Sequence, residues 1–418
     1  MNVVIVGGGL PYPATSGSRI RTLNLTVRLA QRHRVTFLAT RNSDRAEAAK
    51  GLEFLRDQKI DVIEVEHTAP AKKGPRFYAR LATNLASPLP YSVASFHGPA
   101  IQRAVRRLAA QGDVDLWQAE WVAGMEALRV LGHVPKLVVA HNVETLIWER
   151  YAETEPRALR RYYIRLQCHK YERFERRSFL AANRVVTVSA DDAALVRDRF
   201  RVPAGRVDVV DNGIDRATFE SVRPAPDRDP RRILFLGSLD WRPNLDALGL
   251  LLDNIYPAVR AAEPRATLEV VGRSPPAALV RKVAETPGAT LHADVPDVRP
   301  HLARAGVLVV PLRIGGGSRL KILEALASGL PVVSTRVGAE GLCLTPGQDL
   351  VVVDDPEALA LALIHALRNP AILDAMAERG RALVLRRYDW DVLADALERS
   401  WERCAATAPY ASIGGSSV

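Results

Sequence analysis

The sequence predicts an α/β protein made of two doubly wound parallel sheets, and three observations carry that expectation. Short runs rich in Val, Ile and Leu alternate with helical patterns along nearly the whole chain, the arrangement of parallel strands covered by helices on both faces. The alternation breaks once, at a stretch rich in proline and charge, and then restarts. Several strands also run directly into glycines, and strand ends are where doubly wound sheets present their ligands. At 418 residues the chain is too long for one ordinary hydrophobic core.

In the first half, strand candidates are Val3–Val6, Val35–Leu38, Val62–Val65, Leu116–Gln118, Leu137–Ala140 and Val185–Val188, with Ile20–Gln31 and Pro99–Ala110 among the helices between them. Asp211-Asn212-Gly213-Ile214-Asp215 is a turn signal, and Val222–Pro230 reads as a linker or exposed loop. In the second half, strands are expected at Ile233–Leu236, Leu268–Val271, Thr290–His292, Val307–Val310, Val332–Ser334 and Leu350–Val353. Helices are expected at Leu245–Leu252, Ala277–Glu285, Leu320–Ser328, Pro356–Arg368 and Ala371–Leu385. The apolar stripe Trp390, Val392, Leu393, Leu397, Trp401 marks a last helix that needs a partner surface. The expected organisation is a first domain over residues 1–210, a second over 211–385, a further helix over 386–404, and a disordered tail over 405–418.

The bulk numbers suit a globular protein in water, with 48% apolar and 25% charged residues. Three widely spaced cysteines make neither a disulfide framework nor a metal cluster, so a reducing cytoplasm is expected. Val3–Val6 reads as a buried strand rather than a signal peptide, and no stretch approaches the roughly 20 apolar residues of a membrane span. The net charge of +10 lies entirely in one half: residues 1–215 hold 33 Lys+Arg against 23 Asp+Glu, and the rest is balanced. Such a basic half suits an anionic contact, whether membrane surface, nucleic acid or acidic acceptor. A general arginine-rich composition is the alternative.

The segment Val307–Ser334 is the most informative. A buried strand enters Gly315-Gly316-Gly317-Ser318, Ser318 is placed to cap the next helix, and Gly329 and Pro331 end that helix. Three glycines allow close backbone approach, and the helix start favours an anion. Arg319 and Lys321 put two cations where the helix dipole opposes them, which hints at a ligand with more than one negative charge. Glu324 shares a face with Leu320 and suits hydroxyl groups such as a ribose diol. The plainer alternative is a flexible loop with Lys321 and Glu324 pairing across one turn.

Weaker signals surround it. Phe235-Leu236-Gly237-Ser238 is a strand exit followed by Arg242, within reach of a phosphate at the sheet edge or simply exposed. Gly272-Arg273 ends another strand. In the first half, Gly17-Ser18 opens a helix after a glycine-rich loop that lacks the dinucleotide-binding spacing. His141-Asn142-Val143-Glu144 follows a strand, where working residues collect, and His141 can donate or accept near neutral pH. Pro156–Leu180 carries nine basic side chains among aromatic ones, and Lys72–Arg80 forms a second basic, aromatic patch. Either a bilayer contact or a solvated helix satisfies this pattern.

Taken together, Glu324-Ala325-Leu326-Ala327-Ser328-Gly329-Leu330-Pro331-Val332-Val333, Asn212-Gly213-Ile214-Asp215 and His141-Asn142-Val143-Glu144 resemble the retaining glycosyltransferases of family 4, also called group 1 glycosyl transferases. The resemblance covers almost the whole chain. It implies the GT-B fold: two Rossmann-like domains facing across a cleft, acceptor on the first, nucleotide-sugar on the second, and a C-terminal helix crossing back. It also implies His141 facing the donor sugar, Glu324 on the ribose, and Gly17 in the cleft loop.

Two positions depart from the family pattern. The family's first motif glutamate falls at Gly316, leaving the N–H groups of Gly317, Ser318, Arg319 and Leu320 to make the contact. Ser238 stands where the family has arginine, so Arg319, Lys321 and Arg242 are expected to supply diphosphate charge. Asn142, Glu144, Asn212, Gly272 and Arg273 are further cleft candidates. No Asp-x-Asp motif stands at a loop expected to face the donor, so neither metal nor cofactor is expected. The implied partners are a nucleotide-diphosphate sugar and a carbohydrate or lipid-linked acceptor. An anionic membrane surface is a further candidate contact, and no nucleic acid is expected. The rival readings are a nucleotide-sugar epimerase or hydrolase on the same fold, a non-catalytic sugar-nucleotide-binding subunit, and a nicotinamide-dependent oxidoreductase.

Overall fold

The computed structural model describes every residue except 42, 43, 68, 69, 71, 72, 97, 316–318 and 408–418. The Val/Ile-rich runs form two all-parallel sheets. The first contains β1 (Asn2–Val6), β2 (Arg34–Thr40), β3 (Ile60–Val65), β4 (Leu116–Ala119), β5 (Lys136–Ala140), β6 (Arg184–Thr187) and β7 (Val207–Val209), in the order β3-β2-β1-β4-β5-β6-β7. The second contains β8 (Arg232–Ser238), β9 (Thr267–Arg273), β10 (Ala289–Ala293), β11 (Val307–Val310), β12 (Val332–Ser334) and β13 (Val351–Val352), in the order β10-β9-β8-β11-β12-β13. Each is doubly wound, with its order reversing between the first and fourth strands, β1/β4 and β8/β11. A crevice opens at such a reversal, beyond the C-terminal strand ends.

Every expected strand is present, and β7 is additional. Val207-Asp208-Val209 is three residues long and only half-buried, too short to stand out as an apolar run. The helix expected at Leu245 begins earlier, at Arg242, because Pro243 suits the first turn. It continues through a π-helical stretch, Leu251–Ile255, into Tyr256–Ala262.

The last helix, Trp390–Ala405, packs Trp390, Leu393, Leu397 and Trp401 into the core of the first sheet with Leu25, Leu29, Val139 and Val186, whereas Val392, expected on the same stripe, is on the solvent side and 51% exposed. Trp401 is fully buried, and its Nε1 donates to Gln118 Oε1 at 2.6 Å. Arg32 reaches Asp395 at 2.8 Å and Glu398 at 2.7 Å, tying the helix to the first domain's surface. The chain therefore does cross back. This helix runs to Ala405, one residue into the expected tail, and residues 408–418 lie outside the described ones.

Among the described residues no single helix is long and apolar enough to cross a membrane. All three cysteines are free.

Gly272 pairs with Gly237 across β8 and β9. A Cβ on Gly272 would collide with the Gly237 carbonyl oxygen and the Leu239 side chain. Close strand packing alone is enough to require this glycine, in line with the plain strand-to-helix turn that is the simpler reading beside its candidacy for the cleft. Gly272→Ala is expected to lower stability by about 1–3 kcal/mol, as overpacking does. Urea denaturation would measure it, and an unchanged midpoint would remove the packing account.

Candidate active site

The second sheet builds half of the site at its β8/β11 reversal. After β11 the chain reaches Gly315, whose carbonyl oxygen accepts from Arg150, on the first-domain helix Glu144–Thr154. Gly316, Gly317 and Ser318 lie outside the described residues, so the expected Ser318 cap does too. Helix Leu320–Ala327 follows, preceded by Arg319, and ends as expected. Gly329 has φ of 72°, and the Leu330 N–H returns to the Ala325 carbonyl at 2.9 Å.

Arg319 is 6% exposed and lies beneath Gly315, with one guanidinium nitrogen 3.4 Å from the Val337 carbonyl. Burial drives its pKa down to about 10, against the pull of Glu340 and Asp192. Lys321 points to the strand ends: its Nζ donates to Asn244 Oδ1 at 3.0 Å, and Asn244 Nδ2 donates to the Ser238 carbonyl at 2.8 Å. Burial, helped by Arg319, pushes Lys321 down to about 7. Burial pushes Glu324 up to about 7, with Lys321 pulling the other way. Lys321 and Glu324, both half-buried and one turn apart, feel each other's charge, and each is shifted toward neutrality.

Arg273 donates to Ser238 Oγ at 3.1 Å, so a guanidinium stands beside the position where the resemblance expected one. Its Nε is buried without a hydrogen-bond partner among the described residues. Arg242 turns elsewhere. Its guanidinium lies over the Tyr151 ring at 4.6 Å and pairs with Glu155 at 3.2 Å, both in the first domain. Lys321 and Arg273 are thus the cations that lie beside the end of β8, while Arg242 joins the two domains.

The first sheet supplies the other half. Glu120 follows β4 directly, its N–H bonded to the Val6 carbonyl at 3.0 Å. Its carboxylate holds His141 Nε2 at 3.2 Å and accepts from Thr22 Oγ1 at 2.7 Å and from Gln118. Arg21, with no exposed surface, adds a positive charge nearby and donates to the Asp211 carbonyl at 2.5 Å and to Asn212 Oδ1 at 3.3 Å. Burial pushes Glu120 up, but His141, Thr22 and Arg21 together outweigh it, so the carboxyl sits below its ordinary value.

Asn142 is half-buried next to His141. Glu144 opens the following helix and accepts from Trp121 Nε1 at 3.1 Å. Val143, in the cap position, makes no side-chain cap. Glu175 replaces it from helix Ala158–Ala181, accepting from the N–H groups of Glu144 at 2.7 Å and Thr145 at 3.0 Å. Burial carries Glu175 up to about 8.

The halves meet at several points. Leu320 approaches Gly17, leaving 3.4 Å to the place a Cβ would occupy. Ser18, beside it, has its Oγ 3.3 Å from Ser16 Oγ, and Ser16 caps the helix. Arg150 grips Glu340 through two bonds of 2.6 and 2.7 Å.

Glu120 and Arg21 escaped the sequence reading. Glu120 stands two residues past an expected strand, a signal that strand-end placement could have caught. Arg21 lies within the expected helix Ile20–Gln31, where nothing in the sequence marks it out. The basic segment Pro156–Leu180 is mostly the helix Ala158–Ala181, whose buried face holds Ile164, Tyr171, Phe174 and Phe179. Among the described residues, one group could hold a metal, Glu269, His292 and His301. Both imidazoles already bond to one Glu269 oxygen, at 3.2 and 2.7 Å.

Two family models match this chain: Glycosyltransferase Family 4 over residues 15–218, and Glycosyl transferases group 1 over residues 230–369. The chain belongs to the group 1, family 4 glycosyltransferases. Its relatives within reach of sequence include a glycogen synthase from Mycobacterium tuberculosis, 27% identical over 221 residues, which are 51% of this chain and 52% of the relative. A phosphatidyl-myo-inositol mannosyltransferase from the same species is 31% identical over 223 residues, 50% of this chain and 58% of the relative. The matches thus span about half the length of these curated relatives. Sucrose-phosphate synthase from Thermosynechococcus elongatus superposes with a TM-score of 0.71 at 20% identity, covering 97% of this chain and 99% of that one. That likeness gives this glycosyltransferase family member its GT-B fold.

Proposed function

We propose that the protein transfers a sugar from a nucleotide-diphosphate sugar to an acceptor hydroxyl, with retention of anomeric configuration and without a metal. The observation that carries this reading is the meeting of two strand-order reversals. One presents Lys321, Arg273 and Glu324, the other presents His141 held by Glu120, and Leu320 touches Gly17 between them.

In this reading Glu324 takes the ribose, and Lys321, Arg273 and the helix start at Leu320 take the diphosphate. Arg319 tunes Lys321 from beneath. His141 faces the sugar, and the Glu120 carboxylate fixes its ring by holding Nε2. The nucleoside diphosphate leaves, and the acceptor hydroxyl attacks from the same face, with the leaving phosphate taking the proton. Domain closure keeps water from the donor. The names of the relatives, which include transfer to phosphatidyl-myo-inositol, suit synthesis of a cell-surface polysaccharide or glycolipid. Residence at the inner face of the plasma membrane, through the basic first half, completes the proposal.

A thermal-shift panel of UDP-, GDP- and ADP-sugars tests the donor site directly. At about 100 times the dissociation constant the matching donor should stabilise by about 2.7 kcal/mol. No shift with any of them would remove the donor assignment. Nucleoside diphosphate release that needs no acceptor would favour a hydrolase or epimerase instead. Chelator should leave transfer unchanged.

A further inference from the structure

A cavity of about 800 Å³ opens in the first domain beside the interdomain contact, within the size range of small-molecule sites. Eight of the chain's 25 aromatic residues line it, among them Phe77, Tyr91, Phe96, Trp121, Trp148 and Tyr163. Among the described residues no Asp, Glu, Asn or Gln lines it. Apart from the arginines, the polar lining groups are the hydroxyls of Ser92, Ser95 and four tyrosines, a sparse set for the many hydroxyls of a buried saccharide, whereas an apolar chain needs no partners.

The charge around it is one-sided. Arg157, Arg160 and Arg242 line the cavity, and Glu155, 4% exposed, faces two of them, with Arg160 and Arg242 each at 3.2 Å. Three guanidinium groups against one carboxylate leave two positive charges. Arg157 and Arg160 are exposed, so they stand at the rim. Leu159 and Tyr162, on the same helix, are 89% and 72% exposed.

One polar atom inside is unsatisfied. The Tyr163 hydroxyl is buried and has no hydrogen-bond partner among the described residues. Trp121 lines the cavity and donates to Glu144, three residues after His141. Trp121 thus links the cavity to the segment that carries His141.

We propose that this cavity takes the apolar chain of an anionic amphiphile, an acceptor whose phosphate is held by Arg157 and Arg160 and whose reacting hydroxyl is directed toward His141. The placement of that hydroxyl rests on the transferase reading above. The binding itself does not.

Calorimetry with decyl phosphate below its micelle concentration, decyl glucoside and glucose 1-phosphate separates chain from charge. Decyl phosphate should bind at least about tenfold more tightly than either of the others, the effect of one charge-assisted contact added to chain burial. Arg157→Gln with Arg160→Gln should erase its advantage over decyl glucoside. Ser95→Trp, which fills the cavity, should abolish binding of both decyl compounds and leave nucleotide-sugar stabilisation intact. Decyl phosphate binding no better than glucose 1-phosphate, or undiminished in Ser95→Trp, would overturn the assignment. So would tighter binding of a neutral oligosaccharide. Cosedimentation with phosphatidic-acid vesicles that the double arginine variant loses marks a bilayer source; binding of the monomer alone marks a free one, and both support the cavity. Amphiphile binding without any nucleotide-sugar stabilisation would keep the cavity and sink the transferase reading alone.

Discussion

Lys321→Met is expected to weaken nucleotide-sugar binding by about 10- to 100-fold, the worth of one hydrogen bond to a charged group. The larger diagnostic is pH. In the unliganded protein burial holds Lys321 near 7, while a bound diphosphate needs the ammonium form. Affinity is therefore full below pH 7 and falls by about tenfold per unit above it, until the pKa of the bound amine is reached. Glu324, pushed up to about 7 by burial, ionises over the same range. Its carboxylate accepts from a ribose diol more strongly, so Glu324→Gln is the control that isolates the lysine limb. Titration calorimetry at pH 6.5, 7.5 and 8.5 measures both. A flat profile in the wild type, with unaltered binding in the methionine variant, would take Lys321 out of the phosphate site.

Glu120→Ala should be the more damaging change to the fold. The carboxylate is buried against Arg21, His141 and Thr22, and Arg21 has no exposed surface. Removing one member of a buried charge pair leaves the other uncompensated, at a penalty of about 3–5 kcal/mol. Glu120→Gln keeps the shape and loses the charge, so it should unfold less readily than the alanine variant yet still lower turnover. Because the folded carboxyl sits below its ordinary pKa, its contribution is present above the usual glutamate range and is lost as pH falls through it. The alanine variant should lack that acid-side decline. Urea midpoints between pH 3 and 7 test this. Equal slopes in wild type and variant would mean the Glu120 charge is not what holds this end of the sheet.

Much of the fold was legible because parallel strands buried on both faces must be apolar runs, and Val307–Val310 or Leu137–Ala140 cannot be read otherwise. Helix Leu320–Ala327 was equally plain from its glycine punctuation. What escaped depends on neighbours in space. Glu120 gains its meaning only when β4 lies beside β1 and brings Thr22 and Arg21 to it. From its place after β8, Arg242 could be read as within reach of a phosphate or as simply exposed; its contacts with Glu155 and Tyr151, about ninety residues away in sequence, were not legible. The aromatic cavity gathers residues from Phe77 to Arg242, and no local pattern announces it. The glycine at 272 was ambiguous for a related reason: close strand approach and close ligand approach ask for the same residue.

The buried position of Trp390 and Trp401 bears on how the chain is made. The core around β1 and β5 contains side chains from the last helix, so the first domain lacks part of its interior until residues 390–404 have left the ribosome. The second domain draws its core from residues 214–388 and can be completed earlier. Synthesis order and completion order are therefore reversed. A stop codon shortly before residue 390 would strip the domain that was translated first while leaving the later one whole.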